Sequence, residues 1–262
     1  MDLGLTGKVA LITGSGEGIG YAAADRIVQE GGNVVLIGRR ADLVEAAATR
    51  LNGRGPGKAI AFAGDVTDPD LPRRLVAAAR DAFGRVDILV NNAGTSRRGA
   101  FEELDQATWQ QDLDLKLFAA MALIRAVIPE MRRQGGGRIV NVTNIGGRAP
   151  GAGTMPTTVS RAAGIAMTKA LSRELASDNI LVNTVCIGLI KSGQHERRHA
   201  REGHNQDLDA FYAEDAKARA IPLGRVGEAA EAGDVIAFLV SARASYLTGI
   251  AVNIDGGSSP VP

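Results

Sequence analysis

Short β-branched runs alternate with longer Ala- and Leu-rich stretches along this chain, and that alternation narrows the possible folds more than any other feature. A strand covered on both faces reads as a continuous apolar run, and its parallel neighbour is reached through a crossover helix, so the pattern is that of βαβ units. Strands are expected at Val9 to Thr13, Asn33 to Ile37, Ala59 to Phe62, Val86 to Asn91, Arg138 to Val142, Leu181 to Cys186 and Ile250 to Ile254. The fold class is α/β: a three-layer, doubly wound, seven-stranded parallel sheet. With 262 residues, 45% of them hydrophobic, the chain can bury such a core as one domain, 1–262.

Helix ends carry their own signals. Gly18 to Glu30 places Ile19, Ala22, Ala23 and Ile27 on one side and stops at Gly31-Gly32, where a C-cap glycine belongs. Asp68-Pro69 offers an N-cap and a helix-starting proline for the run through Phe83. Two stretches break the alternation. One is GRAPGAGTMP; the other is the polar segment Lys191 to Ala220, expected as a partly helical lid or substrate loop near 188–222, since apolar patterning resumes beyond it.

A formal net charge of +1 gives no basic excess of the nucleic-acid-binding kind, so no nucleic-acid partner is expected. Cys186 is the single cysteine, set in the apolar run ILVNTVCI, where a buried structural thiol is expected. No segment offers about 18 uninterrupted apolar residues, and MDLGLTGKVALIT lacks a basic leader region. The expectation is a soluble cytoplasmic protein without a membrane partner.

The first strand runs directly into TGSGEGIG, Thr13 to Gly20, and then into a helix. Glycines at such a turn let backbone approach a pyrophosphate, and the helix start offers unpaired N–H groups and a positive dipole end. The order of motifs resembles the short-chain dehydrogenase/reductase family over nearly the whole chain. Thr13-Gly14 with Gly18 and Gly20 is similar to its TGxxxGxG turn, and NNAG, Asn91 to Gly94, to the motif after its fourth strand. Asp65-Val66 falls where the family holds adenine; Gly188 to Ser192 resembles its PGxixT segment, with Ile187 in place of the proline; DGG, Asp255 to Gly257, closes the chain similarly.

The resemblance implies a Rossmann fold binding NAD or NADP through Thr13, Gly14, Ser15, Gly18, Ile19, Gly20, Arg39, Asp65, Val66, Asn91, Ala93, Gly94, Arg161, Gly188, Ile190 and Ser192. Gly38 stands where an NAD-selecting carboxylate is usual and Arg39 follows it, which favours NADP. Glu17 argues for NAD, because NADP-using relatives often carry a basic residue there. The late helix GEAAEAGDVIAFLVSA and the final strand resemble the family's subunit contacts, implying a homo-oligomer, a tetramer.

The same resemblance locates the family's reaction residues, an Asn, a Ser, a Tyr and a Lys. All four positions are substituted here: Lys116 takes the asparagine's place, Asn144 the serine's, Thr157 the tyrosine's and Arg161 the lysine's. Tyr21, Tyr212 and Tyr246 are the tyrosines of the chain, and none lies four residues before a lysine. Thr157 is a poor acid beside a phenol near ~10. Arg161 keeps a charge that can bind ribose, and Asn144 can donate an amide hydrogen bond to a carbonyl.

Lys116 is the new titratable group. Beside Arg161, and partly buried, its pKa should fall far enough for it to act as the acid. Alternatively the two cations bind the carboxylate or phosphate of an anionic small-molecule substrate, or Lys116 simply pairs with Asp112 or Asp114. His195, His199, His204 and Tyr212 sit in the lid segment, where a histidine could supply the proton. His195 and His199 share a helix face, but no metal motif accompanies them and no metal is expected. Three functions follow: an NAD(P)-dependent oxidoreductase acting on a carbonyl, imine or activated alkene with a non-standard proton donor, a cofactor-binding sensor or partner subunit without turnover, or a lyase or isomerase. Specificity would lie in Gly146 to Pro156 and the lid.

Overall fold

The computed structural model describes residues 2–202 and 207–262. Strands β1 (Val9–Thr13), β2 (Asn33–Gly38), β3 (Ala59–Ala63), β4 (Ile88–Asn91), β6 (Gly137–Asn144), β8 (Ile180–Ile187) and β9 (Ala251–Ile254) form one parallel sheet in the order β3-β2-β1-β4-β6-β8-β9. All seven expected strands are present. Two further segments, β5 (Arg98–Gly99) and β7 (Met155–Pro156), pair antiparallel outside that sheet, with Arg98 opposite Pro156.

The strands bury both faces, and period-two alternation sorts their side chains. Ala10, Ile12, Val34 and Leu36 pack beneath α1 (Gly18–Gln29), α2 (Ala41–Leu51) and α9 (Ala229–Val240). Val9, Leu11, Val35 and Ile37 face the other way, toward α3 (Leu71–Phe83), α5 (Ala119–Arg133) and α6 (Thr157–Glu174). A continuous helical run links α4 (Gln106–Leu113) to α5 through one π turn, Asp114–Phe118, which carries Lys116. The polar segment forms α7 (Gly193–Glu202) and α8 (Leu208–Ala218); Phe211, Tyr212, Ala216, Ile221 and Val226 give it a small core of its own.

Most boundaries shift slightly from expectation, and the starts of α3 and β4 are among them. Helix α3 starts at Leu71 with Pro72 in its first turn, because the Asp68 carboxylate accepts the Asp70 N–H (2.9 Å) and closes a turn that Pro69 was expected to start as helix. Strand β4 starts at Ile88; just before it, the Asp87 carboxylate accepts from Val9 N–H, Lys8 and Arg85. Cys186 is buried as expected, 3.3 Å from Thr143 Oγ1, and burial raises its thiol pKa. No described helix is long and apolar enough to cross a membrane.

Helices α1 and α9 touch where Gly233 meets Ala22: a Cβ at Gly233 would lie 2.7 Å from the Ala22 carbonyl carbon. Gly233→Val should therefore lower unfolding free energy by about 1–3 kcal/mol through overpacking. Urea denaturation measures it, and an unchanged midpoint would contradict the close approach.

Candidate active site

The strand order reverses beside β1, whose neighbours are β2 and β4, and the crevice above the strand ends at such a switch point is where open α/β sheets bind ligands. A wide cleft opens there, running from the β1–α1 turn past β4 and β6 to α7 and the end of α8. Gly14 and Gly18 take φ of +64° and +62°, which an L side chain resists. A Cβ at Gly20 would lie 2.6 Å from Gly14 O, so only glycine lets α1 start this close to the strand. Helix α1 begins at Gly18 without a side-chain cap, which leaves its first N–H groups to the cleft.

The expected cofactor residues divide into two groups. Gly14, Gly18, Ile19, Arg39, Asp65, Val66, Ala93, Gly94, Arg161, Gly188, Ile190 and Ser192 line the cleft. Thr13, Ser15, Gly20 and Asn91 lie behind it as framework. Thr13 Oγ1 accepts the N–H groups of Asn92 and Ala93, both at 2.9 Å, and Ser15 Oγ bridges Ile12 O (2.7 Å) and Ile37 N (2.9 Å). Asn91 donates to Asn141 Oδ1 (2.9 Å), and Asn141 to Thr168 (2.9 Å), a polar ladder through the core. Its neighbour Asn92 braces the glycine turn instead, donating to Thr13 O (2.9 Å) and Gly14 O (3.0 Å).

Charge at the turn is arranged around Glu17, which pairs with Arg40 (2.9 Å) and with Arg197 of α7 (2.8 Å). Arg39 is 70% exposed and stands 4.0 Å from Asp65. Glu17 is thus neutralised by its partners, while Arg39 extends into the cleft's rim. Arg40 and Arg197 escape a reading of the sequence as partners of Glu17, because only folding brings them there.

At the far end Arg161 donates from Nη1 to Val142 O (2.6 Å), while its Nη2 packs so close to Gly94 that a Cβ there would lie 2.7 Å away. Its Nε is buried with no hydrogen-bond partner among the described residues. Burial lowers its pKa to about 10, with Asp112 opposing, so it stays charged at neutral pH. Asn144 uses Oδ1 to accept Gly147 N–H (3.2 Å), and its amide nitrogen makes no hydrogen bond among the described residues.

Thr157 and Lys116 meet below. Thr157 Oγ1 lies on the cleft wall, accepts from Lys116 Nζ (2.8 Å) and Arg97 N–H (3.0 Å), and donates to Arg97 O (2.7 Å). The Lys116 side chain is fully buried and forms a second, very short bond to Asp112 Oδ1, whose other oxygen accepts from Ser160 Oγ (2.7 Å). Burial pushes Lys116 down to about 8; the Asp112 hydrogen bond opposes this and the Arg161 charge assists it. The expectation that Lys116 and Arg161 jointly face a substrate anion is corrected, since Lys116 points to Asp112 and Thr157 behind the cleft wall. The alternative that Lys116 pairs with Asp112, one helical turn away, is the arrangement found, whereas Ser160 escaped a reading of the sequence.

The lid histidines go separate ways. His195 lines the cleft, and its Nδ1 lies 3.0 Å from Ile190 O. A carbonyl accepts only, so Nδ1 carries a proton in that contact, while burial and the Arg198 charge lower the ring's pKa. His199 packs edge-on against Phe211 at 5.1 Å, next to Tyr212, on which His195 packs. His204 lies outside the described residues, and among those described no three His, Cys, Asp or Glu side chains cluster to hold a metal.

A doubly wound sheet with a glycine turn at its switch point defines a protein of the Rossmann class. Residues 8–203 match the short chain dehydrogenase family. The oxidoreductase UcpA of Salmonella typhimurium is 38% identical over 256 residues, 97% of this chain and 95% of that protein. L-sorbose reductase from Gluconobacter frateurii, complexed with NADPH and L-sorbose, superposes with a TM-score of 0.94 at 34% identity over the full length of both chains. An NADPH-bound short chain oxidoreductase from Pseudomonas aeruginosa PAO1, described as containing an atypical catalytic center, gives 0.91 at 30% identity, covering 99% of each chain. The chain belongs to the short-chain dehydrogenase family and, by family, to the oxidoreductases.

Removing Lys116 alone leaves the Asp112 carboxylate buried without its cation. Lys116→Met should destabilise by about 3–5 kcal/mol, and adding Asp112→Asn should recover most of the loss. Thermal unfolding of the single and double variants checks this; equal destabilisation in both contradicts the pairing.

Proposed function

We propose that this chain is an NADPH-dependent reductase of a carbonyl, imine or activated alkene whose proton comes from Lys116 through the Thr157 hydroxyl. The observation that carries it is the contact of Lys116 Nζ with Thr157 Oγ1 at 2.8 Å, on the wall of the cleft that begins at the glycine turn. The bound nicotinamide supplies the hydride. The open N–H groups at the start of α1 suit the pyrophosphate, Arg39 suits a 2′-phosphate, and the unpaired Nε beside the cleft leaves Arg161 a donor for ribose hydroxyls. Asn144, with its amide nitrogen uncommitted, donates to the substrate oxygen.

Proton flow needs two transfers. The Thr157 hydroxyl, turning from Arg97 O, gives its proton to the developing oxyanion, and Lys116 replaces it from behind, leaving neutral lysine beside Asp112. A lysine near 8 can make that transfer, where a threonine alone cannot. One observation favours a second reading, a cofactor-binding protein without turnover: Thr157 Oγ1 is already engaged by Arg97 on both sides. Assembly as a homo-oligomer through α9 and β9 belongs to the same reading, supported by the exposure of Phe238 on α9 and the half-buried edge strand β9.

Reduction requires protonated Lys116, so its rate should stay level below pH of about 8 and fall about tenfold per unit above it. Lys116→Met should remove both the rate and its fall at high pH, measured as NADPH oxidation with aldehydes and enones. The parent chain, assayed over the same pH range, is the reference; an unchanged rate and profile in the variant would sink the relay. For the cofactor, Arg39→Ala should weaken NADPH about tenfold and leave NADH within about twofold. Equal weakening of both would remove the 2′-phosphate assignment.

A further inference from the structure

Among the described residues, the substrate end of the cleft is lined by arginines and by no carboxylate. Glu17 and Asp65 are the acids along the described cleft wall, and both stand at the glycine-turn end, on Arg40, Arg197 and Arg39. Arg98 and Arg219 stand at the other end. The Arg98 side chain makes no hydrogen bond or ion pair with the described residues. Its place is set by backbone: Arg98 is in register with Pro156, the residue before Thr157, and Arg97 next to it holds Thr157 Oγ1 through both N–H and C=O.

Arg219 reaches the same space from the end of α8. Its Nε lies 3.9 Å from Asp215, an acid that Arg198 also holds, so one carboxylate serves two guanidinium groups. Arg98 is exposed on the cleft wall, where partial desolvation and, after it, the Arg219 charge lower its pKa. Arg98 has no ion pair among the described residues and Arg219 shares Asp215 with Arg198, so guanidinium charge exceeds carboxylate charge on this stretch of the cleft wall, which suits an anion.

We propose that Arg98 and Arg219 bind an anionic group on the substrate, a carboxylate or phosphate, and so aim its reducible carbon at Thr157 and Asn144. This rests on the reading of the cleft as a reduction site and narrows its substrate to anionic carbonyl compounds. It moves anion recognition from Lys116 and Arg161, which are held behind or within the cleft wall, to the pair at its mouth. A planar guanidinium takes either anion in bidentate fashion, so the source is left to the test.

Calorimetric titration of the NADPH-saturated protein decides it, using two matched pairs: 4-oxobutanoate against its methyl ester, and dihydroxyacetone phosphate against dihydroxyacetone. At least one anion should bind about tenfold more tightly than its neutral partner, and the pair showing the larger gap identifies carboxylate or phosphate. Arg98→Gln and Arg219→Gln should each erase most of that gap, and added salt should shrink it in the parent chain. No gap in either pair, including no binding at all, overturns the proposal, as does a gap that survives both variants. Because binding is read without turnover, anion binding with no NADPH oxidation would refute the reductase reading alone, and turnover of neutral and anionic partners at equal rates would refute this site alone.

Discussion

Burying two opposite charges beneath a ligand cleft constrains everything around them. Lys116 and Asp112 are both shielded from solvent, and each must satisfy its remaining polar atoms inside the protein. Thr157 and Ser160, one helical turn apart on α6, do this from above, while the π turn Asp114–Phe118 swings Lys116 inward from the facing helix. The network therefore ties α6 to the α4–α5 run and, through Arg97, to the loop after β4. By the resemblance drawn from the sequence, Thr157 and Lys116 stand at the family's tyrosine and asparagine positions.

A rigid frame keeps the cleft open over that network. Asn92 and Thr13 lock the ends of β1 and β4 together, Ser15 locks β1 to β2, and Asn91 links β4 to β6. These residues spend their side chains on protein partners, so the surface left for ligands is backbone and glycine. Arg161 is different, a guanidinium wedged between Val142 O and Gly94 with its Nε unsatisfied among the described residues. Such a buried donor is most readily explained by a ligand that completes its bonding. Glu17 then joins the lid to the frame, since Arg197 comes from α7 and Arg40 from the β2 end.

Local signals are reliable about local features. The β1 limits and the glycine turn follow from β-branched runs and a strand-to-helix switch, and both stand as read from the sequence. The four substituted positions follow from the resemblance to the family's motifs, counted along the chain from the segments that carry it. What counting cannot supply is where side chains turn. Asn91 and Asn92 are adjacent and identical, yet one enters the core ladder and the other braces the turn, because strand alternation sends them to opposite faces. The sequence places Lys116 but does not aim it, since Asp112 and Thr157 capture it only once α6 has packed. Arg98 and Arg219 lie more than a hundred residues apart, and nothing short of the fold brings them to one cleft.

The account depends on a nicotinamide dinucleotide completing the bonds that Gly14 to Gly18 and Arg161 leave open. The most direct measurement is fluorescence titration of NADPH with the purified chain, with Arg161→Met alongside. Saturable enhancement at one NADPH per chain, strongly weakened in the variant, is the predicted result. No saturable binding by the parent chain, or equal binding by both, would contradict it.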